Sequence, residues 1–532
     1  MQTMTALTLA PIVLGVVFYK IPLKISKILL VFTQIYLGFT AFTLMIQTNV
    51  GEYIREFMGG ETPILFIELI SDRVSFVLVA LSVLMFSVAF LYAWKEDYFD
   101  NRYLLLFLIL QGLTIGLFFT DDLFNLFVLM EVSTVVATIL IMYRRHDRAI
   151  YDGLYYFIIQ IVSMMFYLFG LAYIYRIFGV LSISEIAQMI PLVGHASLIL
   201  PFSFMMAGIS LKIGLFPLFS WVSKAYGTPS APFAVMAILS GMFIKVSLFL
   251  FLRLSEVFQP VIDYNHIFLA LGFLTGVAGF IKAVGQKNIK LILAYSTISQ
   301  VGLMVMAFFS GSQTAYWGGM YHIINHAIIK VMLFFVAGIV YETYGTKNIY
   351  EIQGVRKQMP FISLVILIGF FGITGAPLLN GSISKYWLMI GVPSIVEAGM
   401  WVINLGTMMT YIKFSSILFG ESEQPRTIVS DKFKTITLAF LSAFVVLGGI
   451  FGIPLANFLF QTSLSIALAG YLQKIVIWLV LFMIGYVIFR YVLNRNSLMY
   501  RYLQGTVSLP FSVLLLMIVF VGFMVYGVVF GG

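Results

Sequence analysis

The sequence predicts an all-α polytopic membrane protein with about sixteen transmembrane helices, arranged around two inverted five-helix repeats in which helices 7 and 12 are broken. Of its 532 residues, 61% are hydrophobic and only 10% are charged, whereas soluble domains contain about 25% charged residues. The mean hydropathy is +1.03. Charge clusters and turn residues separate sixteen apolar segments, most of about 18 to 25 residues, the length that an α-helix needs to cross about 30 Å of hydrocarbon.

The first segment has no basic stretch before it and no small-residue cleavage site after it, so we expect a retained helix rather than a signal peptide. The segments form four predicted parts: helices 1–3 in 1–102, a first five-helix repeat of helices 4–8 in 103–252, a second, inverted repeat of helices 9–13 in 267–419, and helices 14–16 in 434–532. In chain order, the segments run over approximately 5–19, 28–46, 74–94, 103–119, 122–142, 155–178, 198–221, 230–252, 267–284, 291–309, 315–341, 361–390, 397–419, 434–458, 472–494 and 508–530.

Basic residues alternate between the loops that join these segments. The odd-numbered loops hold 21 of the 31 Lys and Arg, the even-numbered loops hold five, and five lysines lie inside segments. By the positive-inside rule, the odd loops are cytoplasmic and both termini lie on the outer side. We therefore expect an integral protein of a prokaryotic cell (inner) membrane, with the lipid bilayer as its surroundings. No basic cluster is interleaved with aromatic residues, so nucleic acid is not an expected partner.

Cysteine is absent from the sequence. The chain therefore cannot hold a thiolate-bound iron–sulfur cluster or a disulfide. It also offers no convincing Ser/His or metal site for hydrolysis, so we expect no cofactor, no metal and no redox or hydrolytic centre in this chain. Any redox chemistry would belong to a partner subunit.

Six charged residues lie deep within segments that are otherwise apolar. A charged side chain near the bilayer centre costs roughly 3 kcal/mol on insertion scales, and such residues usually mark ion pathways. A scaffold without an ion path would be expected to carry apolar residues there. One of the six, Lys413, is only about one and a half turns from the end of its segment and could instead snorkel to the interface. The six are Glu131, Lys212, Lys245, Lys330, Lys385 and Lys413.

Segments 7 and 12 are interrupted in similar places, by Pro217 in the first and by Gly375 and Pro377 in the second. Proline and glycine free backbone carbonyls within a span, which is tolerated where the backbone lines a hydrated cavity. The interruptions are five segments apart, and an odd number of crossings inverts the second copy. Each broken segment also precedes a segment with another buried lysine. The alternative is that two matched interruptions arise by chance, because Pro and Gly are common in membrane helices.

Glu131 is nine residues past the acidic pair Asp121-Asp122 and thirteen before Arg144, which places it near mid-membrane at 1.5 Å per residue. A lone carboxyl in hydrocarbon would stay protonated, but a nearby lysine stabilises its ionised form. Such a pair can exchange a proton for an ion-pair rearrangement. The alternative is a neutral glutamic acid that bonds a neighbouring helix.

His322, His326 and Lys330 are spaced at i, i+4 and i+8 on segment 11, so they share one helical face. Histidine titrates near neutrality, and the stripe therefore suits stepwise proton transfer. A metal or haem site would use the same two histidines but lacks further ligands other than Glu131. Hydrogen-bonded core histidines are a further alternative. Polar residues that could hold water between these groups, or simply join helices, are Ser296, Thr297, Ser299, Gln300, Thr374, Asn380, Ser382 and Ser384.

The sequence resembles the antiporter-like subunits shared by Mrp-type sodium/proton antiporters, respiratory complex I and membrane-bound hydrogenases. Its opening Asp-Leu-Phe-Asn-Leu-Phe before Glu131 looks most like the D subunit of Mrp antiporters and its hydrogenase counterpart. The resemblance covers roughly residues 70 to 420. Its six ordered motifs are 122–132, 212–221, Ala231-Pro232 with Lys245, 290–302, 322–330 and 375–385.

The resemblance implies a fourteen-helix core with two inverted repeats and a proton path along the middle of the membrane. By position, it makes Glu131 and Lys212 a pair whose separation changes during pumping, Lys245 a bridging lysine, and Lys385 the terminal lysine of the second half-channel. The central relay would comprise His322, His326 and Lys330. Two further segments, about 472–494 and 508–530, follow the implied core, and we expect them to dock a partner subunit.

Two functions remain open from the sequence. The first is an ion-translocating subunit of an Mrp-like complex that moves protons, with or without exchange for Na⁺. The second is a proton- or sodium-pumping subunit of a respiratory redox complex whose electron chemistry lies in other chains. Both imply other membrane subunits as partners. No dedicated cluster of oxygen ligands for Na⁺ is evident, although oxygens near Glu131 or the helix breaks could coordinate it.

Overall fold

Nearly all of the described chain is helical. Fifteen helices in the described residues are long and apolar enough to cross a membrane, and a sixteenth span is divided into two shorter helices. The predicted helical membrane architecture is therefore confirmed. Arg145, Arg426, Arg495 and Arg501, which contribute to the predicted cytoplasmic charge, lie outside the described part. The computed structural model describes residues 2–58, 67–144, 147–227, 231–421, 431–491 and 508–530.

The helices follow one another with short connections. In chain order they are α1 (Thr3–Lys20), α2 (Leu23–Gln47), α3 (Arg73–Ala93), α4 (Asn101–Phe119), α5 (Leu123–Ile141), α6 (Asp147–Phe178), α7 (Ile183–Met189), α8 (His195–Ile213), α9 (Val222–Gly227), α10 (Phe233–Ile238), α11 (Ile244–Phe258), α12 (Asn265–Gly285), α13 (Ile289–Phe308), α14 (Gln313–Tyr344), α15 (Val355–Gln358), α16 (Pro360–Thr374), α17 (Asn380–Leu388), α18 (Ser394–Ser415), α19 (Lys432–Ile450), α20 (Gly452–Phe460), α21 (Leu468–Tyr491) and α22 (Leu509–Phe530).

A small antiparallel hairpin, β1 (Ile54–Met58) and β2 (Ile67–Ser71), lies between α2 and α3 and was not predicted. The Glu56 carboxylate on β1 accepts hydrogen bonds of 2.6 to 3.0 Å from the backbone N–H groups of the first turn of α1. Helix α1 has no side-chain cap of its own. The hairpin therefore satisfies the free N–H groups with a negative charge at the positive end of the helix dipole.

Both predicted interruptions are present. Helix α8 ends at Ile213 with Gly214 at φ 74°, and irregular backbone continues to α9. Helix α16 ends at Thr374 with Gly375 at φ 86°, a left-handed conformation that favours glycine, before α17 begins. Pro217 and Pro377 lie in the two irregular stretches. The inverted relation between the two five-helix groups and the domain boundaries stay predictions.

A third interruption, which the sequence did not predict, lies in the eighth span. Residues 239–243 form a π-helix between α10 and α11, immediately before Lys245. Wider turns of this kind within α-helices occur frequently at functional sites. This element places Lys245 just beyond a locally widened turn.

Helices α12 and α13 approach each other at backbone distance. A Cβ atom on Gly302 would lie 2.3 Å from the backbone nitrogen of Gly276 and 2.5 Å from the carbonyl oxygen of Gly272. Small residues at such contacts are typical of membrane helix pairs. This packing fixes α13 against α12 and leaves Ser296 and Gln300 directed toward α14 and α18.

The C-terminal region contains one helix more than predicted, and its last two helices pack on the core. The predicted segment 434–458 is divided into α19 and α20. Helix α21 packs on α18, and its Trp478 contacts Phe371 of α16, whereas α22 packs on α8 and α6. The two extra helices therefore each cover a different half of the core.

Candidate functional site

Lys212 and Glu131 face each other from α8 and α5 but are not joined. The buried Lys212 Nζ donates a 2.6 Å hydrogen bond to Thr134 Oγ1, one turn along α5 from Glu131. Within the described residues, the buried Glu131 Oε1 has no hydrogen-bond partner, and no ion pair within 4.0 Å includes Glu131. The two charges nevertheless interact electrostatically. The pair is thus near enough to couple and is separated in this conformation.

Two aspartates at the start of α5, Asp121 and Asp122, hold the first turn of the helix and the connection before α7 in place. Asp122 caps α5 by accepting a 2.6 Å hydrogen bond from Asn125 N, and burial raises the pKa of its carboxyl despite that bond. Asp121 accepts 2.8 Å hydrogen bonds from the hydroxyls of Ser182 and Ser184. These contacts give the two aspartates a structural role that fixes the start of the helix carrying Glu131.

Lys245 is fully buried, and its Nζ donates to the carbonyl of Ser240 in the π-helix. The Ser240 hydroxyl in turn lies 2.7 Å from Thr297 Oγ1 on α13. The widened turn therefore supplies the acceptor for Lys245, and the hydroxyls of Ser240 and Thr297 connect this turn to α13.

The predicted stripe on α14 lies at the centre of the bundle. His322 Nδ1 is 2.9 Å from Ser384 Oγ, and its Nε2 is 3.1 Å from Gln300 Oε1. The ring centroids of His322 and His326 are 6.0 Å apart. Both ring nitrogens of His326 are buried and have no hydrogen-bond partner in the described structure. His326 is thus the least constrained titratable group in the stripe.

Lys330 on α14 and Lys385 on α17 are the remaining members of the line of charged and titratable residues that begins at Lys212. Lys330 Nζ donates to the carbonyl oxygen of Leu293 and to Tyr411 Oη, both at 3.0 Å, and to Ser296 Oγ. Lys385 Nζ donates a 2.6 Å hydrogen bond to Asn404 Oδ1. Every lysine in this line has a neutral acceptor, and none has a carboxylate within ion-pair distance among the described residues.

Three functional contacts come from α18, which sequence reasoning missed. Asn404 accepts from Lys385, Thr407 accepts from Gln300 at 2.9 Å, and Tyr411 accepts from Lys330. Their spacing of i, i+3 and i+7 places them on one helical face. That polar stripe in an apolar segment is the sequence signal that would have found them.

Lys413 differs from the other five charged residues. Its Nζ donates to the carbonyls of Val284 and Gln286, at 2.6 and 2.5 Å, at the end of α12. It is fully buried, so the alternative that it snorkels to water is wrong. Cations are favourable at a helix C-terminus. These contacts anchor the connection between α12 and α13.

Burial alone does not distinguish the candidate residues. Lys434, near the start of α19, is also buried, but it pairs with Glu96 and Glu342 at 2.6 Å each. Lys224 pairs with Asp152 at 3.4 Å. The candidate lysines are distinguished by mid-span positions and neutral partners.

The central groups interact with one another as like charges. His322 and His326 lie one turn apart on α14, with their ring centroids 6.0 Å apart, and Lys330 follows one turn later. A proton on one of these groups therefore disfavours a proton on the next, which suits transfer from site to site. Within the described residues, no three His, Asp or Glu side chains come together in a metal-binding arrangement.

Residues 120–413 match the family model described as NADH:quinone oxidoreductase/Mrp antiporter, TM. All eight candidate residues lie within this range. The N subunit of the NADH-quinone oxidoreductase of Desulforudis audaxviator is 31% identical over 387 residues, which cover 69% of this chain and 75% of the relative. The D subunit of the Na⁺/H⁺ antiporter of Alkalihalophilus pseudofirmus is 29% identical over 418 residues, covering 75% and 83%.

The fold is similar to that of a chain in the solved structure of the membrane-bound sulfane sulfur reductase, an archaeal respiratory membrane complex. The TM-score is 0.80 with 25% sequence identity, and the match covers 91% of this chain and all of the other.

Proposed function

The chain belongs to the NADH:quinone oxidoreductase/Mrp antiporter family, and from that premise we propose that it is an ion-translocating, antiporter-like subunit of a multi-subunit membrane complex. The ion is the proton, with or without exchange for Na⁺. The observation that supports this most is the series of buried titratable groups across α8, α11, α14 and α17, of which all but His326 are held by a neutral polar side chain or carbonyl.

Glu131 is the switch of the proposed path. When its carboxylate pairs with Lys212, the lysine retains its proton because the ion pair stabilises both charges. When they are separated, as here, Lys212 is held only by the hydroxyl of Thr134 and releases its proton more readily. The proton then passes toward Lys245, the α14 stripe and Lys385. Lys413 stays a proposed member of the path, in addition to its anchoring contacts.

A subunit of a redox-driven complex is the second candidate. The solved chain with a TM-score of 0.80 belongs to a respiratory complex, and the relatives include both a quinone oxidoreductase subunit and an antiporter subunit. The proposed partners are other membrane subunits of an Mrp-like or respiratory complex. The proposed orientation, from the loop charges, places both termini on the outer side. Identification of co-purifying subunits distinguishes the two energy sources.

The first prediction concerns Glu131→Gln and Lys212→Ala. Each removes one member of the switch, so proton flux through the assembled complex in vesicles should fall by about 100-fold, a loss typical of removing a proton-transfer group. Repeating the flux measurement with and without Na⁺ tests exchange. Glu185→Gln, at an exposed acid on α7, is the matched control and should leave flux unchanged. Normal flux through a fully assembled Glu131→Gln complex would contradict the proposal.

A further inference from the structure

A small cavity lies beside Lys385, between the second helix break, α18 and the added helix α21. Its volume is about 30 Å³, which is room for about one or two water molecules. We call it the Lys385 cavity. Its lining includes Ser382, Lys385, Trp401, Tyr471, Lys474 and Trp478.

Helix α21 forms one wall of this cavity through specific polar contacts. Tyr471 Oη is hydrogen-bonded to Ser382 Oγ on α17. Trp478 Nε1 donates a 3.0 Å hydrogen bond to the carbonyl oxygen of Thr374, the last residue before the break in α16. An apolar lipid-facing helix would need neither contact. Both attach α21 to the two sides of the break.

An ion pair between α21 and α18 lies beside the cavity, because its lysine, Lys474, is one of the lining residues. Lys474 Nζ lies 2.8 Å from Glu397 Oε1 and also donates to the carbonyl of Met389 at 3.3 Å. Trp401 Nε1 donates to Glu397 Oε1 at 3.2 Å. The side chains of Lys474 and Glu397 are 14% and 34% exposed, so the pair lies between the cavity lining and the surface. Both residues lie near the helix ends that the loop charges assign to the outside.

We propose that α21 completes an outer passage from Lys385 and that the Lys474–Glu397 ion pair is its gate. This inference rests on the proposed function. A proton leaves the Lys385 ammonium for water in the cavity, passes to the Glu397 carboxylate and is released to the outer solution, and neutral Lys385 is recharged from the His322 side. Partly exposed ion pairs are weak, so the gate opens readily. The positive charge of Lys474 opposes the return of a proton.

The absence of cysteine from the chain allows a direct test of access. In the full complex in oriented vesicles, Ser382→Cys should react slowly with a membrane-impermeant thiol reagent and from the outer side only, because the reagent is larger than the cavity and reaches the thiol only while the Lys474–Glu397 pair is open. Adding Lys474→Ala should raise the labelling rate by about tenfold, equivalent to the loss of a modest interaction. Ser296→Cys, buried on α13 and away from the cavity, should stay unlabelled. Arg55→Ala, which removes an ion pair elsewhere, should not change the rate.

Transport supplies the second readout. Glu397→Gln should lower proton flux, whereas Lys474→Arg, which keeps the ion pair, should retain it. A thiol at position 382 that labels from the inner side, or at a rate unaffected by Lys474→Ala, would overturn the gate. Labelling does not depend on transport. If access changes as expected while Glu131→Gln transports normally, the gate stands and the proposed proton path fails.

Discussion

At the scale of single residues, the neutral side chains determine how the charged ones behave. Thr134 holds Lys212, Asn404 holds Lys385, and Tyr411 helps to hold Lys330. A hydrogen bond to a charged group contributes about 1.5 to 3 kcal/mol, comparable to the cost of placing the charge in the membrane. Each lysine is therefore retained in position without a carboxylate that would trap its proton.

Tyr411→Phe should reduce proton flux by about tenfold, because it removes one of three acceptors of Lys330 and one charge-assisted hydrogen bond. The measurement is initial flux in vesicles containing the assembled complex. Tyr491→Phe, at a tyrosine that is 72% exposed, is the control with the same chemical change. Equal flux in both variants would exclude a role for the Tyr411 hydroxyl.

The proposed site residues are recognisable from the sequence alone, whereas their hydrogen-bond partners are seen only in the structure. Charge within an apolar segment singled out Lys212, Lys245 and Lys385 without any structure. The stripe of Asn404, Thr407 and Tyr411 is visible in the sequence, but polar residues are common in membrane helices, and only the structure shows that these three contact the charged line. Sequence therefore identifies the costly residues, whereas tertiary packing selects the residues that satisfy them.

At the scale of elements, irregular backbone lies beside three of the charged residues: the helix breaks lie near Lys212 and Lys385, and the π-helix offers the carbonyl of Ser240 to Lys245. The break between α16 and α17 was predictable because Gly375 and Pro377 disfavour continuous helix. The π-helix at 239–243 was not, because its residues contain no proline and are compatible with an ordinary α-helix. The hairpin at β1 and β2 was hidden between long apolar segments. Local propensity thus predicts some interruptions, and packing imposes others.

Gly381→Ala should abolish flux and lower the amount of assembled complex. A Cβ at Gly381 would lie 1.9 Å from the carbonyl oxygen of Gly372, so α17 could not keep its place beneath α16. Gly522→Ala on α22 is the control, because no atom lies within 4 Å of its added Cβ. Complex yield and proton flux are measured together. A Gly381→Ala complex of normal yield and flux would show that α17 can move away from α16 without loss of function, which contradicts the prediction.

At the scale of the whole molecule, Arg73 joins two helix ends that are far apart in the sequence. Its guanidinium donates to the carbonyls of Met45 and Thr48 at the end of α2 and of Phe458 and Leu459 at the end of α20. It is 3% exposed. The position of α20 beside α2 could not be predicted, because apolar segments give no indication of their neighbours. Hydropathy predicts spans, whereas specific contacts such as these and the close packing of α12 on α13 fix their arrangement.

Arg73→Ala should lower the thermal stability of the purified complex by several degrees. The change leaves four carbonyl groups without their donor, at a cost of about 3 kcal/mol or more. Thermal unfolding in detergent measures it. Arg176→Ala, at an exposed arginine near the end of α6, should leave the transition unchanged. If the two variants unfold at the same temperature, the Arg73 contacts do not contribute to thermal stability.

The packing of α22 has a consequence for biosynthesis. Ser512 of α22 is hydrogen-bonded to Ser220, 292 residues earlier, at 2.7 Å, and to Tyr155 of α6 at 2.8 Å. During translation, the first half of the chain is inserted long before Ser512 is synthesised. The hydroxyl groups of Tyr155 and Ser220 therefore cannot form these hydrogen bonds until the end of synthesis. Contacts so distant in sequence form late. The half of the protein that is made first is therefore among the last to be completed.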